Sequence, residues 1–129
     1  MNWNPVVPLD RLPVGRAVVA RVDGVQVALV RVRGEEVYAV GNLDPFSAAP
    51  VMARGIVGST VVDGDERRTL SSPMYKQAFD LATGRCLVDP DVSLPVWPVR
   101  VMDGVVALGD QTRGTLRDAP NEFAQQGAA

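Results

Sequence analysis

Residues 72–84 read Ser-Pro-Met-Tyr-Lys-Gln-Ala-Phe-Asp-Leu-Ala-Thr-Gly, and this stretch decides how the chain is interpreted. It follows a valine-rich hairpin, so its first half, Ser72–Gln77, is predicted to be a loop that leaves the end of a strand. A second loop, Asn42–Phe46, follows another such hairpin in the same way. Pro45 and Pro73 stiffen the two loops, because the proline ring fixes the backbone angle φ. The sequence therefore predicts two rigid loops that emerge from strand ends.

Valine-rich segments joined by Asp-Gly pairs make up much of the remaining sequence. β-branched residues favour strands. Asp-Gly between two such segments is a strong hairpin signal, since a type I′ turn needs positive φ at both central residues. The three pairs are Asp23-Gly24 between Arg16–Val22 and Val25–Val32, Asp63-Gly64 between Ile56–Val62 and Glu66–Leu70, and Asp103-Gly104 between Val96–Met102 and Val105–Leu108. Together with a further strand at Glu36–Val40, they predict an all-β, antiparallel domain.

Composition and charge exclude several classes of function. The 129-residue chain is 47% hydrophobic and fits one domain. Its net charge of -2 and pI of about 5.0 argue against binding to nucleic acid or to an anionic membrane. The single Cys86 excludes an internal disulfide and suits a reducing compartment. No apolar stretch approaches the ~20 residues of a membrane span, and the N-terminus lacks signal-peptide features. We therefore predict a cytoplasmic protein.

The character of the sequence changes after Gly109. Asp110–Ala129 is polar, contains few strand-forming residues and ends in Gln-Gln-Gly-Ala-Ala. Such a segment offers little apolar surface to offset the entropy lost on ordering. The predicted organisation is a β domain over residues 1–109 and a flexible C-terminal tail over residues 110–129.

The two loops resemble the cluster-binding loops of the Rieske iron–sulfur family. In that family, one loop has the sequence Cys-Pro-Trp-His-Gly, and Phe-Asp-x-x-Thr-Gly follows after a short gap. Ser72 stands at the cysteine position and Tyr75 at the histidine position. The other family loop, Cys-x-His, is similar to 42–44, with Asn42 and Asp44 at the ligand positions. The resemblance implies a Rieske-like antiparallel β-sandwich or barrel with a small tip subdomain that bears both loops.

The residues at these positions differ from those that a Rieske centre requires. A Rieske [2Fe–2S] cluster uses two thiolates and two imidazoles, whereas this chain has one cysteine and no histidine. We therefore predict that the chain binds no metal and no cofactor of its own. The four vacated ligand positions are Asn42, Asp44, Ser72 and Tyr75.

Four segments together resemble the small subunit of assimilatory NADH-dependent nitrite reductase: 42–46, 54–56, 72–84 and 98–101. The resemblance implies an accessory subunit of a cytoplasmic enzyme that reduces nitrite to ammonium in nitrate and nitrite assimilation. It also implies a large-subunit partner that carries FAD, an iron–sulfur cluster and sirohaem. The alternative class is a redox-silent Rieske-like binding or regulatory module of another oxidoreductase complex.

No independent catalysis is expected from this chain. Ser72 lacks a histidine to activate it, and Tyr75 with Lys76 would need a nucleotide site that no glycine-rich motif provides. Rigid loops with aromatic residues instead suit protein recognition, and Phe46, Tyr75 and Lys76 are the candidate interface residues. An alternative for Phe46 and Met74 is that they fill the space vacated by the cluster.

Overall fold

The computed structural model describes residues 2–112 of the chain. The predicted flexible tail lies outside these residues except for its first three positions. At the end of the described segment, the backbone of Thr112 pairs with Val96, with N–O distances of 2.8 and 3.3 Å. The prediction that 110–129 forms a flexible tail therefore stays a prediction.

Residues 2–112 form ten strands and two three-residue 3₁₀ turns. The 3₁₀ turns are Leu9–Arg11 and Met52–Arg54. The strands are β1 (Asn4–Pro8), β2 (Arg16–Val22), β3 (Val25–Arg33), β4 (Glu36–Gly41), β5 (Ile56–Val62), β6 (Asp65–Ser71), β7 (Ala78–Asp80), β8 (Val96–Trp97), β9 (Val99–Met102) and β10 (Val105–Leu108).

Three antiparallel sheets organise these strands, in the orders β1-β10-β9, β2-β3-β4-β8 and β5-β6-β7. This confirms the predicted all-β, antiparallel class. No helix among residues 2–112 is long and apolar enough to cross a membrane.

The three Asp-Gly hairpins occur where the sequence predicts them. The aspartate and glycine φ values are 51° and 80° at 23–24, 51° and 85° at 63–64, and 52° and 76° at 103–104. Positive φ at both central residues is the geometry of a type I′ turn, whose twist matches that of the flanking strands. These turns fix the register of the β2–β3, β5–β6 and β9–β10 pairs.

The predicted continuous strand over Val96–Met102 is wrong. Pro98 interrupts it, and the two halves join different sheets, β8 beside β4 and β9 beside β10. Proline has no N–H to donate, so a strand breaks readily at this residue. The sequence interpretation also missed β1, which contains two prolines. Because β1 lies at the edge of its sheet, a residue without an N–H can face outward there without loss of a sheet hydrogen bond.

Two clusters of buried apolar side chains form the core. One, which includes Val40, Met52, Leu70 and Phe79, spans the four-stranded sheet and the β5–β6–β7 sheet. The other packs the β1–β10–β9 sheet against the four-stranded sheet and includes Trp97. The first cluster supports both predicted loops, because β4 and β6 end beside it before each loop begins.

Candidate functional site

The two predicted loops meet at one end of the molecule. We call residues 44–49 turn A and residues 72–77 turn B, and together they form the tip. A hydrogen bond joins them directly, because the Ser72 hydroxyl donates to Asp44 Oδ2 over 2.5 Å. Asp44 and Ser72 are 0% and 1% exposed, so this bond lies out of contact with solvent. Two of the four vacated ligand positions therefore hold the tip together.

Turns A and B share one backbone geometry with a third turn, residues 80–85, which we call turn C. In each, the first N–H donates to the sixth carbonyl and the fifth N–H donates to the first carbonyl. The corresponding N–O distances are 2.8 and 2.7 Å in turn A, 3.0 and 3.0 Å in turn B, and 2.9 and 2.7 Å in turn C. The first side chain also accepts a bond from the third N–H, at 2.9, 3.1 and 2.8 Å.

The fifth residue of each turn has a left-handed backbone. The φ values are 61° at Ala48, 66° at Lys76 and 80° at Gly84. Glycine adopts this conformation without strain, whereas a residue with a Cβ does not. Gly84 is also sterically required, since a Cβ there would collide with the carbonyl of Leu94. Turns A and B thus carry backbone strain that turn C avoids.

Asn42, the third vacated position, stabilises the chain next to turn A through three hydrogen bonds. Its amide nitrogen donates to Gln26 Oε1 at 2.9 Å and to the Pro50 carbonyl at 3.1 Å. Its amide oxygen accepts a bond from the Ala53 N–H at 2.8 Å. Asn42 is 2% exposed, so these bonds satisfy a buried amide and fix the segment between turn A and the second 3₁₀ turn.

The fourth vacated position, Tyr75, does not join the others. Its side chain is 61% exposed, and it makes no hydrogen bond within residues 2–112. Met74 beside it is 48% exposed, and Lys76 is exposed without an ion-pair partner in the described part of the chain. Turn B therefore presents three consecutive side chains to solvent.

Phe46 has one face on the core and the other in solvent. Its ring lies 6.2 Å from that of Phe79, at an interplanar angle of 44°. Phe79 is fully buried, whereas Phe46 remains 36% exposed. Phe46 thus covers the core at the tip, and it still offers apolar surface to a partner.

An ionic network joins the sheet of turn B to the four-stranded sheet. Glu36 Oε2 accepts bonds from Arg68 Nε at 3.0 Å and from the Tyr38 hydroxyl at 2.7 Å. The Arg68 hydrogen bond, followed by that of Tyr38, lowers the pKa of Glu36. Burial, followed by the bond to Glu36, raises the pKa of Tyr38 to about 12. The network holds β6 against β4, the two strands from which the tip emerges.

The vacated positions do not suit a Rieske cluster. They offer an amide, a carboxylate, a hydroxyl and a phenol, whereas the cluster takes thiolate and imidazole ligands. Cys86 is buried, and its backbone pairs with that of Phe79 in the core and not with turn A or turn B. Among the described residues, no group of three or more histidine, cysteine, aspartate or glutamate side chains is placed to hold a metal ion.

The tip, formed by turns A and B, lines neither of two surface concavities in the described structure. Its exposed side chains therefore suit contact with another macromolecule better than enclosure of a ligand.

Several supporting residues were missed from sequence. Gln26 reaches Asn42 from a hairpin sixteen positions earlier, and no local motif marks it. Arg67 pairs with Asp80 Oδ2 at 3.2 Å, which explains the aspartate of the Phe-Asp motif as a structural residue. Gln77 Oε1 is a buried acceptor without a partner in the described structure.

Comparison with known proteins agrees with this geometry. The chain matches the family described as "Rieske-like [2Fe-2S] domain" over residues 2–109. The fold and the paired loops therefore define a Rieske-like domain.

Similar proteins identify the subgroup of Rieske-like domains to which this chain belongs. The chain is 35% identical to a nitrite reductase (NADH) small subunit from Salmonella typhimurium, covering 83% of this chain and 96% of that protein. It is 48% identical to a Mycobacterium tuberculosis structure assigned as an NADH-dependent nitrite reductase small subunit, with a TM-score of 0.74 and coverages of 83% and 93%. This chain belongs to the family of nitrite reductase (NADH) small subunits within the Rieske-like domains.

A third relative is much longer than this chain. The match to a nitrite reductase [NAD(P)H] large subunit from Klebsiella oxytoca is 37% identical and covers 84% of this chain. It covers 11% of that protein, so a domain similar to this one forms a small part of a large polypeptide.

Proposed function

We propose that this chain is the accessory small subunit of a cytoplasmic NADH-dependent nitrite reductase, and that it docks on the large subunit through the tip. By the family resemblance, the large subunit carries FAD, an iron–sulfur cluster and sirohaem. It takes electrons from NADH and reduces nitrite to ammonium for nitrate and nitrite assimilation. The small subunit contributes assembly or positioning, without catalysis of its own.

One observation carries the partner assignment. A domain 37% identical to this chain lies within a single polypeptide named as a nitrite reductase large subunit. The same kind of domain occurs as a separate small subunit in Salmonella typhimurium. A domain that is covalently part of a protein in one organism is expected to associate with the corresponding protein where the two are separate. This supports the large subunit as the partner.

The chemistry of the vacated positions supports a subunit without its own cluster. The buried bond between Ser72 and Asp44 occupies two ligand positions with each other. Asn42 uses both ends of its amide to hold the neighbouring backbone. These side chains serve the structure of the tip, and the chain itself carries no electrons in the proposed complex.

The surface of the tip supports docking. Phe46, Met74 and Tyr75 are exposed on turns that proline and internal hydrogen bonds make rigid. Little conformational entropy is lost when such a surface binds, and exposed tyrosine is typical of interface hot spots.

Co-expression tests this function. The tagged chain is produced with the untagged large subunit of the same source, and the complex is assayed for nitrite-dependent NADH oxidation. We expect stoichiometric co-purification and a higher rate in the complex than in the large subunit alone. Failure of the two proteins to associate would overturn the assignment and favour a module of another oxidoreductase complex.

Metal analysis of the isolated chain tests the proposal that the chain has no iron–sulfur cluster of its own. A Rieske centre would bring about two irons per chain and visible absorption. We expect the purified chain to be colourless and iron-free, and stoichiometric iron with labile sulfide would contradict the proposal.

A further inference from the structure

Lys76 is the sole lysine of the 129-residue chain, beside twelve arginines. It occupies the fifth position of turn B, where its φ is 66°. Turn C has Gly84 at the same position, and the Rieske motif Cys-Pro-Trp-His-Gly ends in glycine there. A lysine therefore stands where the backbone geometry favours glycine.

The backbone bonds of turn B hold Lys76 in this conformation, but its side chain adds no stabilising contact within the described residues. Lys76 makes no ion pair or side-chain hydrogen bond there, and its side chain is exposed. Strained residues persist where the surrounding structure enforces them, and they concentrate at functional positions. Since the Lys76 side chain does not serve the fold, its role is expected to lie in contact with another molecule.

The charge and polarity of the tip indicate which chemical group the binding partner offers to Lys76. Asp44 and Lys76 are the acidic and basic residues of the tip, and Asp44 is fully buried in its bond to Ser72. The exposed charge of the tip is thus a single ammonium group. The same two turns expose apolar or aromatic side chains at Phe46, Met74 and Tyr75. When a partner covers such a surface, the ammonium loses water and needs an anionic partner.

We propose that Lys76 forms an ion pair with an aspartate or glutamate carboxylate of the large subunit, and that this pair sets the orientation of the tip on that subunit. The proposal rests on the proposed function and adds the chemistry of the partner surface. A single charge on an otherwise apolar tip would fix the orientation of the tip on the large subunit, because a misplaced tip would bury the ammonium group without an anionic partner.

Carbodiimide cross-linking of the assembled complex tests the proposal. This reagent joins an amine to a carboxylate in direct contact as an amide, with loss of water to the carbodiimide. Lys76 is the only side-chain amine of this chain, so a product is readily assigned against the α-amino group by peptide mapping. We expect a cross-link from Lys76 to an aspartate or glutamate of the large subunit.

Two variants at this position separate charge from shape. Lys76→Arg retains the positive charge and loses the reactive amine, so it should lose the cross-link and keep affinity within about threefold. Lys76→Met retains an unbranched side chain without charge, and we expect at least a tenfold loss of affinity. Thermal melts of both variants should match the parent, because the side chain makes no contact that the fold needs.

Two results would count against the proposal in different ways. A complex that forms without a Lys76 cross-link, and that Lys76→Met leaves at parental affinity, would overturn the ion pair alone. Failure of the unmodified chain to bind the large subunit would overturn the proposed function together with the ion pair.

Discussion

The hydroxyl of Ser72 donates a 2.5 Å hydrogen bond to Asp44 Oδ2, and both side chains are buried. The two residues are 28 positions apart, and the family resemblance sets them at ligand positions of different Rieske loops. Each also accepts the N–H two residues further along its own turn. One polar bond therefore connects the two loops at vacated ligand positions.

Ser72→Ala tests the contribution of this bond to stability. The substitution leaves Asp44 Oδ2 buried without its partner, and it removes the acceptor for the Met74 N–H. An unsatisfied buried group costs about 1–3 kcal/mol, so the free energy of unfolding should fall by that amount. Urea titration measures it. Ser71→Ala is the matched control, since the Ser71 side chain makes no hydrogen bond within residues 2–112 and should change stability by less than about 0.5 kcal/mol. Equal losses in the two variants would show that the loops do not depend on this bond.

Ala48→Gly should stabilise the protein. Ala48 has a φ of 61°, which a Cβ makes unfavourable, and glycine removes the strain. After the higher chain entropy of unfolded glycine is subtracted, we expect a gain of about 1 kcal/mol in a denaturant titration. Ala82→Gly, in turn C, is the control, because Ala82 is exposed and has no positive φ. That variant should lose roughly 0.5 kcal/mol, and a loss at both positions would contradict the strain assigned to turn A.

Phe46, in the tip, and Phe79, in the core beside it, should differ in their contributions to stability. Phe79 is fully enclosed, so Phe79→Ala should cost about 3–5 kcal/mol through the cavity that it leaves. Phe46 is 36% exposed and contacts Phe79 on one side, so Phe46→Ala should cost about 1–2 kcal/mol. Chemical denaturation of both variants tests this order. A cost at Phe46 equal to that at Phe79 would show that Phe46 fills an enclosed space in solution.

Stability should vary with pH through Glu36 and Tyr38. The pKa of Glu36 is lowered by Arg68 and Tyr38, so its contribution is present above its ordinary value of 4.5 and is lost as pH falls through the folded value. The pKa of Tyr38 is raised from 10.0 to about 12, mainly by burial. Its contribution is present below pH 10 and is lost as pH rises toward 12, because the unfolded tyrosine ionises first.

Urea midpoints measured from about pH 2.5 to about pH 11 test the two slopes. Tyr38→Phe should remove the alkaline loss and lower stability at neutral pH by about 1 kcal/mol, the usual contribution of one hydrogen bond. Tyr75→Phe is the matched control, because Tyr75 is exposed and should leave the profile unchanged. An unchanged alkaline slope in Tyr38→Phe would contradict the role assigned to the network.

Much of the fold could be predicted from local sequence chemistry. The three Asp-Gly hairpins were predictable because type I′ turns have a strict requirement for positive φ. The break at Pro98 was missed because a valine-rich strand pattern continues through it, while the change of sheet depends on which edge each half meets. The edge strand β1 was missed because its two prolines are unfavourable in a central strand.

The tip was predictable in position and less so in structure. Loop placement at strand ends follows from the hairpin pattern, and the family motif identifies Asn42, Asp44 and Ser72. Their hydrogen bonds were not predictable, because each depends on side chains or carbonyls brought near by the tertiary fold. The common geometry of turns A, B and C was also missed. Each turn begins with Asp or Ser, whose side chain accepts the third N–H. The bonds that close the turns join backbone groups, and no residue type marks them.

Affinity of the chain for the large subunit, measured by calorimetric titration with Tyr75→Ala, tests the central claim most directly. Tyr75 is 61% exposed on turn B, so the variant should keep its melting temperature. A central interface aromatic contributes about 2 kcal/mol, so the affinity should fall roughly thirtyfold. Met102→Ala is the control, because Met102 is exposed on the β1–β10–β9 sheet, away from turns A and B. Parental affinity in Tyr75→Ala, or an equal loss in Met102→Ala, would show that the tip is not the docking surface.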